Sequence, residues 1–382
     1  MANKVLFYTH GLVDGGGERL WSCLASAFKA RGNDVIFVQD FEADENRSNL
    51  DGSIPLFTIG RKHWRAVQHL AGILREQKPQ VALSAIGGSN FKLMLAKWLA
   101  GSPVRTIITY HGFCEWRTGL LSFATYFALP ILSAFADRTV AVSDGLREQL
   151  IRRWRARPEK TITILNPVFF PAIAAVPSEA ELAERPDVVL AVGRLAPEKD
   201  FPTLLRAFAR LDRPSARLII LGKGPEEAKL KALVKDLGLS SRVILAGYSK
   251  EPWQFYAQAK CFVLSSVSEP FGNVVVEAMA YGLPIVATAA AGPQEILRHG
   301  KFGRIVAVGN DLQLAHAITD TLDHPGDPAL RRRRADEFSF AVRVPAYEQL
   351  VDSVLGAPTT RVPAAPAGEH DATARATSRP AG

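Results

Sequence analysis

Cysteine is scarce in this chain of 382 residues, where it occurs only as Cys23, Cys114 and Cys261. These three residues are odd in number and far apart, which is neither the pattern of a disulfide framework nor the spacing of a metal site. We therefore expect buried thiols in a reducing compartment, and we expect no bound metal ion.

The chain also lacks a visible leader segment and a long apolar run. Its first residues, Met-Ala-Asn-Lys-Val-Leu-Phe-Tyr-Thr, run directly into a predicted strand, without the charged segment, apolar core and cleavage site of a signal peptide. The stretch 120–136 has no charged residue, but it contains Pro130 and is at the short limit for a membrane span. It predicts a buried or interfacial helix.

Acidic residues are the minority charge, 38 against 46 lysines and arginines, so the net charge is +8. Basic proteins bind nucleic acids, anionic membranes or phosphorylated ligands. Three basic clusters lie at 61–65, 152–155 and 331–334, and the first two contain Trp64 and Trp154. Tryptophan beside lysine and arginine favours a membrane interface over duplex DNA. A solvated basic helix face explains any one cluster equally well.

What the sequence does contain is a repeated alternation of short apolar strands and helical segments. Such an alternation predicts parallel sheets covered by helices on both faces. The length is sufficient for two domains of ordinary size. We predict strands at 5–9, 34–39, 81–85, 106–110 and 139–142, and then at 188–192, 218–221, 243–245, 261–264 and 284–287.

A group of prolines between 167 and 186 interrupts this alternation and predicts a linker. The predicted fold class is α/β, with two tandem doubly wound, Rossmann-like domains that face a ligand cleft. The predicted boundaries are a first domain at 1–166, a linker at 167–186, a second domain at 187–338, a terminal helix at 339–356 and a disordered tail at 357–382.

The most informative motif is Ser-Glu-Pro-Phe-Gly-Asn-Val-Val-Val-Glu, in which Glu269 and Glu277 are eight residues apart. Pro270 places Glu269 on a loop, and the run that follows places Glu277 in the opening turns of a helix. Both carboxylates would lie near a helix N-terminus, where free N–H groups bind anions. Hydroxyl acceptors around a phosphate-binding helix end fit a sugar nucleotide.

Three further segments follow predicted strands. The glycines at 15–17 let the backbone approach a ligand, although the G-x-G-x-x-G spacing is absent and a tight turn explains them too. Arg194 and Lys199 suit a diphosphate, because arginine grips phosphate bidentately and lysine adds a point charge; the alternative is an ordinary surface loop. His111 follows a strand at the end where ligands bind, although a lone histidine is often structural.

Together these segments resemble the retaining, GT-B-fold glycosyltransferases of family four, also called group 1. The resemblance covers nearly the whole chain before the predicted tail. Residues 15–19 resemble a G-G-x-E-R loop, 137–143 a D-x5-S strand, 193–199 a G-R-L…E-K segment, 269–277 an E-x7-E motif, and 338–348 an F-S-W…Y-E helix that crosses back onto the first domain.

The resemblance implies a role for each matched position. Glu269 would hold hydroxyls of the transferred sugar, Glu277 would hold the ribose, and His111 would lie beside the transferred sugar. The implied catalytic residues are His111, Arg194, Lys199 and Glu269. The implied donor-binding residues are Gly16, Gly17, Arg194, Lys199, Glu269, Phe271, Gly272, Asn273 and Glu277.

One departure from the family concerns Asn166-Pro167-Val168-Phe169, which replaces the common Asn-Gly-Val-Asp. No role is carried over for the missing aspartate. A D-x-D carboxylate pair is also absent, which agrees with the expectation of no metal.

The implied activity is retaining transfer of a sugar, of hexosyltransferase type, from a nucleotide-diphosphate sugar to a saccharide acceptor. We expect a UDP-sugar in preference to a GDP-sugar, and an acceptor that is lipid-linked or a precursor of a cell-surface polysaccharide such as lipopolysaccharide. We further expect a cytoplasmic enzyme peripheral to an anionic membrane, with no cofactor and no nucleic-acid partner. A small soluble acceptor and a non-catalytic sugar-nucleotide-binding scaffold are the alternatives.

Overall fold

A computed structural model of the protein describes residues 2–13, 16–113, 120–171, 173 and 175–356. Gly15, Cys114 and the predicted tail at 357–382 lie outside the described residues. The strands of the first sheet are β1 (Lys4–Thr9), β2 (Asp34–Gln39), β3 (Leu56–Thr58), β4 (Val81–Ala85), β5 (Arg105–Tyr110), β6 (Arg138–Ala141) and β7 (Thr161–Thr163). Those of the second are β8 (Val188–Val192), β9 (Arg217–Leu221), β10 (Val243–Gly247), β11 (Cys261–Leu264), β12 (Ile285–Thr288) and β13 (Arg304–Val306).

Helices follow most strands. They are α1 (Gly16–Ala30), α2 (His63–Gln77), α3 (Gly87–Ala100), α4 (Leu120–Phe127), α5 (Leu129–Phe135), α6 (Asp144–Arg152), α7 (Glu179–Glu184), α8 (Phe201–Ala209), α9 (Glu227–Asp236), α10 (Trp253–Gln258), α11 (Asn273–Ala280), α12 (Ala291–Ile296), α13 (Asp311–Asp323), α14 (Pro328–Asp336) and α15 (Phe340–Leu355). A one-turn 3-10 helix, Pro197–Lys199, precedes α8.

Both sheets are parallel and doubly wound. The strand orders are β3-β2-β1-β4-β5-β6-β7 and β10-β9-β8-β11-β12-β13. The order reverses between β1 and β4 in the first sheet and between β8 and β11 in the second, and ligands bind at the carboxyl ends of such strands. The interiors of the central strands are buried, as their apolar sequences require. The predicted α/β fold with two Rossmann-like units is therefore confirmed.

The predicted single helix at 120–136 is wrong in one respect, because the structure has two helices, α4 and α5. Pro130 lies in the first turn of α5, which begins after Ala128. Proline has no N–H to donate to the carbonyl four residues earlier, so the α-helical ladder is interrupted there. In the described part of the chain, no helix is long and apolar enough to cross a membrane.

Helix α15 packs against the first sheet although it follows the second in sequence. Tyr347 is fully buried in the same core as Phe7 and Phe28. The side-chain amide of Asn3 donates to Asp352 at 3.0 Å. These contacts place α15 on the first domain, beside the beginning of the described chain.

Candidate functional site

A cleft of about 1370 Å³ lies where the carboxyl ends of the two sheets face each other. Strand β1 of the first sheet and strands β8 and β9 of the second end at this cleft. The structure brings together every residue that the sequence singled out for the site. They are His111, Arg194, Lys199, Glu269, Gly16, Gly17, Phe271, Gly272, Asn273 and Glu277, all of which line the cleft.

Lys199 and Glu269 form an ion pair in the second-domain half of the cleft. Both side chains are largely buried, at 19% and 10% exposed. The hydroxyl of Ser266 donates to the same carboxylate at 3.3 Å, and the hydroxyl of Ser265 donates to the Lys199 carbonyl oxygen at 2.8 Å. The pair is therefore held in place by the loop after β11, and it presents an ammonium and a carboxylate to one ligand.

The N-terminus of α11 opens directly into the cleft beside this pair. Gly272 precedes the helix with a φ of 104°, a left-handed conformation that favours glycine. No side chain caps α11, so its first backbone N–H groups remain available to an anion. A Cβ on Gly292 would lie 2.1 Å from the Phe271 carbonyl oxygen, so this loop and α12 must pack backbone to backbone.

Glu277 is buried one turn further along α11. The phenol of Tyr256 donates to its carboxylate at 2.9 Å, and a guanidinium nitrogen of Arg19 lies 3.8 Å from its other oxygen. Burial raises the pKa of Glu277, against the opposing effects of Arg19 and Tyr256. Arg19 belongs to α1 of the first domain and also lies over the Trp253 ring at 5.1 Å. The sequence predicted Glu277 but neither of these partners.

The side chain of Arg194 is 68% exposed. Its guanidinium donates to Glu198 at 2.7 Å. The pKa of Glu198 is lowered: partial burial raises it, but the hydrogen bond from Arg194 and the nearby charges more than offset that effect. Arg194 therefore lines the cleft while one of its nitrogens donates to a neighbour on its own loop, and a guanidinium with five N–H donors can contact a ligand at the same time.

His111 lies in the first-domain half, directly after β5. Its Nε2 is 2.9 Å from the hydroxyl of Thr109, and the Trp21 ring meets the imidazole edge to face at 5.9 Å. Burial lowers the pKa of His111 to about 4, so the ring is neutral at pH 7. A Cβ on Gly17 would lie 3.9 Å from His111, which places the glycine backbone against the histidine.

A second group of polar residues lines the first-domain half, and the sequence reasoning missed it. The ammonium of Lys92 pairs with the carboxylate of Asp40, and both side chains are buried. The phenol of Tyr8 donates to Asp40 at 2.7 Å. Asp40 directly follows β2, a position that could have identified it; Lys92 lies inside α3, where nothing distinguishes it from a surface lysine. Within this pair, the Asp40 carboxylate can accept hydrogen bonds from hydroxyl groups, and the Lys92 ammonium can donate hydrogen bonds to them.

Backbone strain lies next to this pair. Ile86, between β4 and α3, has a φ of 75°, which a β-branched residue rarely adopts. Ile86 and Ser89 both line the cleft. Such strain occurs at ligand sites, where the surrounding structure holds the backbone in place.

Contacts between the domains surround the cleft. The Glu295 carboxylate, on α12, accepts hydrogen bonds from the N–H groups of Asp144 at 3.0 Å and Gly145 at 2.8 Å, at the start of α6. The side-chain amide of Asn166 donates to Asn273 at 3.2 Å. Asn166 is the first residue of the segment that departs from the resembled family, and here it contacts the first residue of α11.

Two of the basic clusters are only partly exposed. Arg331 and Arg334 are buried and donate to backbone carbonyls, among them Gly282 at 2.9 Å and Ile296 at 2.9 Å, so only part of the 331–334 cluster faces solvent. Burial lowers the pKa of Arg331 to about 10. Trp154 packs on Tyr126 with ring centroids 5.1 Å apart, so it does not stand free at the surface as an interfacial tryptophan would.

The cysteine expectation holds in part. Cys261 is buried, and burial raises its thiol pKa to about 12, whereas Cys23 is only half-buried. Among the described residues, no group of three or more His, Cys, Asp or Glu is arranged to hold a metal ion. The absence of a metal in the reaction stays a prediction.

Comparisons with known protein families match both halves of the chain. A family model described as Glycosyltransferase Family 4 matches residues 14–169, and one described as Glycosyl transferases group 1 matches residues 174–338. The break between the two matches lies within the predicted linker.

Two curated relatives are similar in sequence. The lipopolysaccharide core biosynthesis glycosyltransferase LpsE of Rhizobium meliloti is 39% identical over 174 residues, which are 44% of this chain and 50% of the relative. N-acetylgalactosamine-N,N'-diacetylbacillosaminyl-diphospho-undecaprenol 4-alpha-N-acetylgalactosaminyltransferase of Campylobacter jejuni is 29% identical over 247 residues, 64% of this chain and 66% of the relative. The matched regions thus span about half to two thirds of these relatives.

A solved structure shows the same fold. HepE of Anabaena, in complex with UDP and glucose, superposes with a TM-score of 0.77 at 20% identity, over 93% of this chain and all of that one. With the two family models, the doubly wound sheets and the facing cleft, this likeness settles the architecture. The chain belongs to the group 1 glycosyltransferases of GT-B fold.

Proposed function

We propose that the protein transfers a sugar, with retention of configuration, from a nucleotide-diphosphate sugar to a saccharide acceptor. The observation that carries the proposal is the buried Lys199–Glu269 pair beside the uncapped N-terminus of α11. This arrangement offers positive charge to a diphosphate and a carboxylate to sugar hydroxyls within one side of the cleft.

The donor would lie across the second-domain half of the cleft. Lys199, Arg194 and the N–H groups of residues 271–273 would neutralise the diphosphate as its bond to the sugar breaks. Glu269 would accept hydrogen bonds from the transferred sugar. Glu277 would accept hydrogen bonds from the ribose hydroxyls. Its raised pKa shows that the carboxylate is buried, so the ribose would be buried beside it. We propose UDP as the nucleotide, with support from the UDP complex of HepE.

The acceptor would enter the first-domain half, between His111 and the Lys92–Asp40 pair. Its hydroxyl would attack the face of the sugar that the diphosphate leaves, and the diphosphate oxygen would take the proton of that hydroxyl. No carboxylate is then needed as a covalent nucleophile. Neutral His111 would hydrogen-bond the transferred sugar, because its lowered pKa keeps it uncharged at pH 7.

We propose a lipid-linked saccharide, such as a lipopolysaccharide or polysaccharide precursor, as the acceptor, and the cytoplasmic face of a membrane as the place of reaction. The two relatives support this, because one is named for lipopolysaccharide core biosynthesis and the other for transfer to a diphospho-undecaprenol saccharide.

The test is sugar transfer from radiolabelled UDP-sugars to the lipid extract of the source cells, followed by butanol partition of the product. Wild type should label the lipid fraction, and Glu269→Ala should reduce the rate at least about 100-fold, the scale of losing one transition-state contact. Glu227→Ala, at an exposed glutamate on α9, is the matched control. Full activity of Glu269→Ala would contradict the proposed site. Absence of transfer by wild type from any nucleotide sugar would contradict the proposed function.

A further inference from the structure

A row of exposed apolar side chains runs along α4 and α5. Phe123, Phe127, Ile131 and Phe135 are spaced four residues apart and are 45%, 77%, 57% and 61% exposed. Side chains four apart lie on one helix face, so Phe123 and Phe127 share a face of α4, and Ile131 and Phe135 share a face of α5. The ring of Trp98, at the end of α3, meets Phe135 edge to face at 5.7 Å and extends the row. We call these five residues the aromatic ridge.

The opposite face of the same two helices is fully packed. Tyr126, Leu129 and Leu132 are at most 1% exposed and belong to the main core. The aromatic ridge therefore does not contribute to the packing of the core, because each helix already buries its opposite apolar face there. Contiguous exposed apolar surface of this kind marks a site of interaction.

Cations border the ridge on both sides. The guanidinium of Arg75 donates to the Ala100 carbonyl at 3.3 Å, two residues beyond Trp98. On the other side, the ammonium of Lys160 donates to the Ala136 carbonyl at 2.9 Å, and the backbone N–H of Arg157 donates to the Ser133 hydroxyl at 3.0 Å, which places the backbone of a second basic residue beside α5. Residues 120–136 carry no charge of their own, so the ridge is apolar with a basic border.

This combination fits an anionic lipid surface better than a protein partner. Aromatic rings partition into the boundary between headgroups and acyl chains, and lysine and arginine around them contact anionic headgroups. Asp137 is an acid at this border, and its carboxylate is already paired with Arg105 at 3.0 Å and Lys97 at 3.6 Å. Its charge is thereby neutralised, and the border keeps a positive sign.

The ridge is also adjacent to the cleft. Ser122 lines the cleft, and the next residue, Phe123, belongs to the ridge. The phenol of Tyr126 donates to the carbonyl of Gly112, another cleft residue, at 3.0 Å. A membrane bound to the ridge would therefore lie near the first-domain side of the cleft, where the acceptor is proposed to enter.

We propose that the aromatic ridge docks the protein on an anionic membrane and brings the cleft to a membrane-anchored acceptor. The rings enter the headgroup boundary, and the basic border binds the headgroups. The catalytic purpose of this docking rests on the proposed function, because docking brings the cleft to its acceptor only if the acceptor is lipid-linked. The contact itself depends only on the ridge and its border.

The test is co-sedimentation with vesicles of phosphatidylcholine containing 30% phosphatidylglycerol, and with vesicles of phosphatidylcholine alone. The variant is Phe127→Ser with Phe135→Ser, at two exposed positions. The matched control is Leu312→Ser with Val342→Ser, two apolar residues on α13 and α15 that are each 51% exposed. Wild type and control should bind the anionic vesicles, and the ridge variant should bind them at least about tenfold more weakly. Binding to the neutral vesicles should be weaker for wild type, because the basic border has no anionic headgroup to contact.

Equal vesicle binding by the ridge variant and wild type would overturn the proposal. It would also be overturned if wild type were a dimer in sedimentation and the ridge variant a monomer, since the ridge would then join two copies of the chain. UDP titration separates this proposal from the proposed function: the ridge variant should bind UDP as wild type does. Failure of wild type to bind UDP would contradict the proposed function, but it would not change what the vesicle experiment shows about docking.

Discussion

His111 is the residue whose ionisation the structure most clearly constrains. Its pKa of about 4 lies below the ordinary value for histidine, so the unfolded chain binds more protons than the folded one between about pH 6.5 and 4. The contribution to stability is complete above pH 6.5 and is lost as the pH falls through this window. The expected slope is about 1.4 kcal/mol per pH unit at most.

Urea unfolding at pH 7 and pH 5 measures this effect. His111→Gln should reduce the difference in unfolding free energy between the two pH values, because the glutamine does not titrate. His324→Gln serves as control, since that histidine is 76% exposed. Equal pH dependence in wild type and His111→Gln would show that this histidine does not resist protonation.

Residues of the donor half could be predicted from the sequence because their spacing carries the information. Glu269 and Glu277 are eight apart in one segment, and Arg194 and Lys199 are five apart in another. Arg19 could not be predicted as a partner of Glu277, because the two are separated by most of the chain and meet only when the domains face each other. The Lys92–Asp40 pair was missed for another reason, because Lys92 lies inside α3, where nothing in the sequence distinguishes it from a surface lysine.

At the scale of elements, the start of α11 depends on how closely α12 approaches it. Alanine at Gly292 would place a Cβ 2.1 Å from the Phe271 carbonyl oxygen. We expect Gly292→Ala to lower the free energy of unfolding by about 2 kcal/mol or more, because backbone atoms cannot give way as a flexible side chain can. It should also weaken UDP binding, since the shifted loop carries the N–H groups of the anion site.

Urea unfolding and calorimetric UDP titration measure the two effects. Gly52→Ala is the control, because no atom lies within 4 Å of a Cβ there. Wild-type stability together with wild-type UDP affinity in Gly292→Ala would contradict the close approach of α12.

The elements that periodicity predicted are the central strands and the long helices. Strands β2, β4, β8 and β11 coincide with the predicted ranges, because each is a buried apolar run between turns. Strands β3, β7 and β13 were not predicted, since each has only three residues and lies at or near a sheet edge. The short helix α7, inside the proline-rich predicted linker, was also not predicted. A capping box between Ser178 and Glu181 stabilises this helix.

At the scale of the whole molecule, Glu295 links the two domains through the N-terminus of α6. Burial raises the pKa of this carboxylate, and its two N–H contacts oppose that effect. Glu295→Ala would leave those N–H groups without their acceptor and would remove a favourable charge at a helix N-terminus. We expect the domains to separate more readily, with a larger radius of gyration in small-angle scattering of the free protein.

The matched control is Glu184→Ala, at an exposed residue of α7. It should leave the radius of gyration unchanged. A radius in Glu295→Ala equal to that of wild type would mean that this contact does not hold the domains together. The sequence could not predict the contact, because nothing in the segment around Glu295 indicates which surface it faces.

The central claim is that the cleft binds a nucleotide diphosphate through Lys199 and the neighbouring N-terminus of α11. Calorimetric titration of UDP into wild type and Lys199→Ala tests it most directly, with Lys229→Ala, at a 78% exposed lysine, as control. We predict one site per chain in wild type and control, with a dissociation constant of roughly 1 μM to 1 mM, and at least about tenfold weaker binding in Lys199→Ala. Equal affinity in Lys199→Ala, or no binding of either UDP or GDP to wild type, would contradict the account.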